Sequence, residues 1–157
     1  MRFWIIGWVV MSLRLALALV LLVTVIVLVP FFQRDDSSYI EFTSASIRFN
    51  GTDATITIHY ELAPMARAYI LAFGTRSLES NIENISSSFE DCRIMSIKPE
   101  YAEILVKNTS TESKGYYLHH SIALPTRFRV LEVYTPDQRS PRVYYDVNAT
   151  PNIFYKG

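Results

Sequence analysis

The sequence predicts an α+β fold: an N-terminal transmembrane helix followed by a mostly antiparallel β-sheet domain with one amphipathic helix, a β-sandwich being the alternative. Three observations predict it. Arg14 is the only charge between Phe3 and Phe32; several segments beyond residue 38 alternate apolar and polar residues, as half-buried strands do; and one segment repeats its apolar residues at helical spacing. With 157 residues, half of them apolar, 15 basic against 15 acidic and a single cysteine, the chain holds one domain and an anchor, not two domains.

The anchor comes first. Leu15 to Val29 reads LALALVLLVTVIVLV and continues through Pro30 to Phe31 and Phe32. Such a run matches the roughly 17–25 residues that cross a bilayer. Residues 1–32 are therefore read as a membrane anchor, with the transmembrane helix at about 12–32. A cleaved signal peptide would end in small residues, whereas this run ends VPFFQRDD. A lipoprotein anchor fits no better, because the one thiol, Cys92, lies far downstream. An arginine at the bilayer centre costs about 2.5–3.5 kcal/mol, which places Arg14 snorkelling at the inner surface with Trp4 and Trp8 in the interfacial belt. Arg2 and Arg14 precede the span, while Arg34 is neutralised by Asp35 and Asp36, so the N-terminus is expected in the cytoplasm and the C-terminal domain outside. Gln33 to Ser38 (QRDDSS) is a short tether, and 39–157 is the extracytoplasmic β-rich domain.

Asparagines support export. Asn50, Asn84, Asn108 and Asn148 begin the triplets NGT, NIS, NTS and NAT, four glycosylation candidates that all lie beyond the span. Pro151 directly follows the last of them. A lone cysteine forms no internal disulfide, and sequons without disulfides fit an archaeal cell surface better than an animal one.

Strands open the domain. In Ala54–Leu62, Ile56, Ile58, Tyr60 and Leu62 face one way and Thr55, Thr57, His59 and Glu61 the other. Its partner is Tyr39–Phe49, joined through Asn50-Gly51, which supplies the positive φ of a tight hairpin. Pro64–Phe73 is bracketed like a helix by Pro64 and Gly74, but Arg67, Tyr69, Leu71 and Phe73 alternate, and a strand is expected. The helix is Arg76–Phe89: Leu78, Ile82, Ile85 and Phe89 form one stripe opposite Asn81, Asn84 and Ser88. Further strands are expected at Cys92–Lys98, Tyr101–Lys107, Tyr116–Leu124, Arg127–Thr135 and Arg142–Val147, with a short one at Ile153–Tyr155. Turns fall at Pro99-Glu100, Asn108–Gly115, Pro125-Thr126 and Pro136–Pro141.

Motifs that would name a chemistry are missing from this sequence. His119 and His120, as strand neighbours, point to opposite faces and cannot chelate one ion together. His59 and Glu61 share a face, so a metal site would need one of those histidines on an adjoining strand; no metal site is expected. There is no G-x-S-x-G elbow, Cys92 reads as a small core residue, and five scattered glycines make no phosphate loop. Catalytic residues and cofactors are accordingly expected to be absent, and nucleotide is not an expected ligand. With only Arg2 and Arg14 before residue 33, the remainder carries 13 of the basic and all 15 acidic residues, a net of about −2 that gives no nucleic-acid footprint.

Tyrosine and arginine crowd the C-terminal third: Tyr116, Tyr117, Arg127, Arg129, Tyr134, Arg139, Arg142, Tyr144 and Tyr145. Such residues favour protein interfaces, and Tyr134, Arg139, Arg142, Tyr144 and Tyr145 are the interface candidates. The function this implies is a single-pass, membrane-anchored interaction or structural module of the cell envelope, with the lipid bilayer and envelope or membrane proteins as partners. An accessory subunit of a multi-span complex, docking through the anchor's small residues and Arg14, is the alternative. A pilin-like subunit is a further one, although the apolar run holds no acidic residue and no processing site precedes it.

Overall fold

The computed structural model describes residues 39–157, which form one unit; the anchor expected at 1–32, its Trp4, Trp8 and Arg14, and the tether at 33–38 lie outside the described residues. Among the described residues no helix is long and apolar enough to cross a membrane.

Alternation builds the first hairpin. In β1 (Ile40–Asn50) and β2 (Asp53–Leu62), Ala45, Ile47 and Phe49 are buried, as are Ala54, Ile56, Ile58 and Tyr60. The antiparallel register sets Ile47 opposite Ile56 and Phe49 opposite Ala54, so both apolar sets share one face. The turn is not the expected one. Asn50 stays in the strand, paired with Asp53, and only Gly51 takes a positive φ, at 60°.

Two helices follow, α1 (Pro64–Phe73) and α2 (Arg76–Ser86). Pro64–Phe73 is thus a helix and not the expected strand. Pro64 sits in the first turn, where a missing N–H costs nothing, and Gly74, at φ 90°, ends the helix by donating its N–H to Ile70, 2.8 Å away. α2 turns Leu78, Ile82 and Ile85 inward, with Phe89 just beyond its end. Burying side chains of this size stabilises by about 1.5–3 kcal/mol each. Asn81, expected on the solvent side, is half-buried and donates its amide to the Tyr39 hydroxyl.

The remaining elements are β3 (Cys92–Ile97), β4 (Tyr101–Val106), β5 (Ser110–Ser113), β6 (Tyr116–His119), β7 (Ala123–Tyr134), β8 (Arg142–Ala149) and β9 (Ile153–Lys156). They assemble into two sheets, a six-stranded one in the order β3-β4-β2-β1-β7-β8 and a three-stranded one in the order β5-β6-β9. One pairing is parallel: β1 runs alongside β7 in the middle of the large sheet, with Ser44 opposite Val130 and Ile47 opposite Val133.

These findings overturn the α+β assignment with its single helix. Strands make up 55% of the structure, the helices number two among the described residues, and the mostly β architecture fits the sandwich alternative. The polar stretch Asn108–Gly115, expected as a turn, contains β5. Its strand character comes from backbone pairing with β6, Ser110 opposite His119, and not from apolar alternation. Lys114 and Gly115, at φ 54° and 79°, make the tight turn between them. Pro125-Thr126, also expected as a turn, lies inside β7. There the register with β8 shifts between Ala123 and Phe128, around a proline that has no N–H to give. The expected strand Tyr116–Leu124 is split between β6 and β7.

One face of the large sheet carries the core. α2 covers part of it, closing Ile85 and Phe89 over Ala45, Ile56 and Phe128. The small sheet packs near the hairpin tip, where the Phe49 ring lies 5.0 Å from the rings of both His119 and Tyr155. The Tyr155 hydroxyl donates to Gly51 O at 2.8 Å, and Ser110 N–H donates to Thr52 O at 3.1 Å.

Candidate functional site

Polar groups that could do chemistry are dispersed. His119 is 1% exposed, on the inner face of the small sheet, while its neighbour His120 is exposed on the other side. The His119 ring has a full set of partners: Nδ1 donates to Thr109 O at 2.8 Å, and Nε2 accepts the Thr150 hydroxyl at 2.9 Å. That hydroxyl oxygen in turn accepts Ile122 N–H at 2.8 Å. The Thr109 carbonyl can only accept, so Nδ1 carries a proton, and burial, which disfavours the charged ring, leaves Nε2 as the acceptor. Burial lowers the imidazole pKa below its usual value, opposed by the bond to Thr109 and aided by the neighbouring His120. His119 is a structural clasp that ties β6 to the residue before β5, Thr109, and the residue after β8, Thr150. His59 lies on the opposite face of the large sheet, next to the Tyr101 ring at 6.0 Å. Among the described residues no three His, Cys, Asp or Glu side chains gather as a metal site. Cys92 is half-buried and its thiol donates to Ser86 O at 3.2 Å.

The gap in the core between α2 and the sheet is too small for a ligand. It measures about 10 Å³ and is lined by Ile47, Ile58, Ile85, Phe89 and Phe128 among others. That is about the volume one water needs, and the lining offers no set of polar partners for it.

The five interface candidates do not form one patch. Tyr134 lies on the open face of the large sheet, where its hydroxyl donates to Glu132 at 2.8 Å and its ring sits 4.6 Å beneath the Arg48 guanidinium. Glu132, accepting that bond, is the main reason the phenol pKa is raised. Tyr145 shares the open face but stands at the β8 edge, 74% exposed. Arg142 and Tyr144 point to the other side, Tyr144 packing against the core and Arg142 donating to Gln138 at 3.0 Å. Arg139 is exposed in the 136–140 turn. Around Tyr134 the open face is polar on the β1–β2 side, with Arg48, Ser46, Thr55 and Thr57, while the β8 edge exposes Val143 and Tyr145.

The small sheet presents a different surface. Its inner side chains, Tyr117, His119, Ile153 and Tyr155, pack inward, which leaves Tyr116, Leu118 and Phe154 on the outer face. The Tyr116 and Phe154 rings stack 5.4 Å apart and 8° from parallel, and Leu118 pairs directly with Phe154. Three adjacent exposed apolar side chains on an otherwise polar sheet are the kind of cluster that marks an interaction site. Tyr116 belongs to the tyrosine-rich set read from the sequence, whereas Leu118 and Phe154 were missed. Their only signal is period-two alternation, which separates two faces without saying which is covered.

All four sequon asparagines are exposed: Asn84 on α2, Asn148 on β8, and Asn50 and Asn108 beside the hairpin tip. Asn108 takes φ 50°, and its N–H donates to the Asp53 carboxylate at 3.1 Å. No family model, no curated protein and no solved structure matches this chain.

Proposed function

We propose that the chain is a membrane-anchored interaction module of the cell envelope. It crosses the membrane once through its apolar N-terminal segment and holds its β-domain outside, close to the membrane surface. The outer face of the small sheet, Tyr116, Leu118 and Phe154, meets the envelope partner. The single observation that carries this reading is the position of that cluster. The tether enters at Tyr39, next to the start of β1, whereas the small sheet packs at the other end of β1, by the β1–β2 turn. Ten residue steps of strand, about 33 Å, separate the two ends. An aromatic patch held that far from the tether is well placed to reach outward.

Photo-crosslinking in native membranes tests it. A crosslinker replacing Tyr116 should capture a discrete envelope protein, and one replacing Thr57 on the solvated face should not. Equal, diffuse labelling from both positions would overturn the assignment of that face. Stoichiometric co-purification with multi-span proteins through the anchor would place the chain in a membrane complex instead.

A further inference from the structure

We propose that α1 lies in the surface of the membrane, its exposed arc seated at the boundary of headgroups and acyl chains, as a second lipid contact beside the N-terminal segment. The inference rests on reading that segment as the anchor. It begins with an anomaly of burial. Met65, Tyr69, Leu71 and Phe73 are 83%, 55%, 69% and 74% exposed, and Ile70 alone is buried. A helix apolar on every side belongs inside a protein core or in lipid. Here the protein core takes only one edge of it.

Position selects the lipid. Ala63, the residue before Pro64, donates its N–H to Tyr39 O at 2.9 Å, and Leu62 pairs with Ile40. α1 therefore begins where the tether enters the domain. If the apolar run that ends at Phe32 is the anchor, the seven residue steps to Tyr39 span at most about 25 Å, which limits how far the start of α1 can lie from the bilayer. Composition agrees. Arg67 is the only charge in α1, and it is held by Glu100 at 3.3 Å. Tyr69, with an apolar ring and a polar tip, suits the interfacial zone. At about 15 Å long the helix is too short to cross but long enough to lie in the plane. A second copy is the weaker occupant, because one face of a ten-residue helix offers far less than the roughly 800 Å² per partner of a stable interface.

The test uses the full chain reconstituted in phosphatidylcholine vesicles. In a Cys92→Ser background, a nitrobenzoxadiazole label is placed through Leu71→Cys or, as the membrane-distal control, Asn108→Cys. Leu71 and Asn108 are both exposed, so neither label disturbs the core. Lipids brominated near the glycerol should remove about half of the fluorescence at position 71, where the helix is seated roughly 5–10 Å into the boundary, and none at position 108. Iodide in the buffer should quench in the reverse order. Position 71 as open to iodide as position 108 and insensitive to bromine overturns the proposal, as does disulfide pairing of Leu71→Cys between two chains, which would assign the face to self-association. Carbonate extraction separates this failure from failure of the anchor: a chain that resists extraction while position 71 stays wet keeps its anchor and loses only the α1 contact.

Discussion

Helices α1 and α2 are of nearly equal length, adjacent in the chain and separated only by Gly74 and Thr75, yet they stand in opposite relations to the core. α2 buries Leu78, Ile82 and Ile85 completely or nearly so and shows solvent Glu79, Glu83 and Asn84. α1 buries Ile70 and shows solvent four large apolar side chains. The difference teaches that hydrophobicity alone does not bring a helix into a core. α2 has contrast between its faces, so the sheet can take one and water the other. α1 has no such contrast, and the sheet accepts only the edge that geometry brings near.

Substitution should make this difference measurable through urea midpoints of the full chain in mild detergent, followed by the near-ultraviolet circular dichroism of its tyrosines. The largest losses belong to the α2 stripe. Phe89→Ala should cost about 3–5 kcal/mol and Ile82→Ala about 2–5, enough to unfold a domain of ordinary stability. Losses well below these would mean that α2 is not part of the core. Acid should come next, through a group that touches neither helix. His119 is neutral when buried and its folded pKa lies below the unfolded value of about 6.5, so the unfolded chain binds the extra proton. Stability is full above about pH 6.5 and falls as the pH drops from there towards the folded pKa. The midpoint should therefore decline between pH 7 and 5.5, above the range in which carboxylates protonate, and a flat midpoint there would contradict the buried neutral ring.

Asn81→Ala should cost about 1 kcal/mol, since its amide bonds the Tyr39 hydroxyl, and Tyr39→Phe should cost no more than that. A double variant that loses less than the sum of the two would show that the bond ties α2 to the entry point of the chain. The smallest effects are expected in α1, where Leu71→Ala and Phe73→Ala should stay within about 0.5 kcal/mol. A loss of 2 kcal/mol at either position would mean that α1 is held by protein and would erase the difference between the helices.

The same contrast explains what could be read in advance. The α2 stripe and the Ala54–Leu62 alternation are local patterns tied to one covered face each; the strand formed where expected, and the helix began where expected but ends at Ser86, short of Phe89. Pro64–Phe73 misled because, in a run with almost no polar residues, the alternation of Arg67, Tyr69, Leu71 and Phe73 has no polar face to report. β5 was hidden for the converse reason, since STES has no apolar residue to reveal it and its pairing with β6 is made by backbone. Of the candidate interaction face, Tyr116 was in view and Leu118 and Phe154 were not, because which side of β6 and β9 is covered depends on Phe49 and the hairpin tip, distant in sequence. The parallel partner of β1 was equally out of reach, as nothing local in either strand marks the other.

That central parallel pair governs the order in which the domain can be completed as the chain emerges. β1 and β2 appear early and can close their hairpin at once, but the other edge of β1 has no partner until β7 has been made. Until then the nascent domain presents an unpaired strand edge whose inner face carries Ala45, Ile47 and Phe49, the type of surface that seeds association between chains. The sheet can thus extend early on the β2 side, through β4 and β3, but the β7–β8 side is added only after most of the chain is available. A ribosome-bound intermediate ending before Ala123 would be a half-sheet with β1 at its rim.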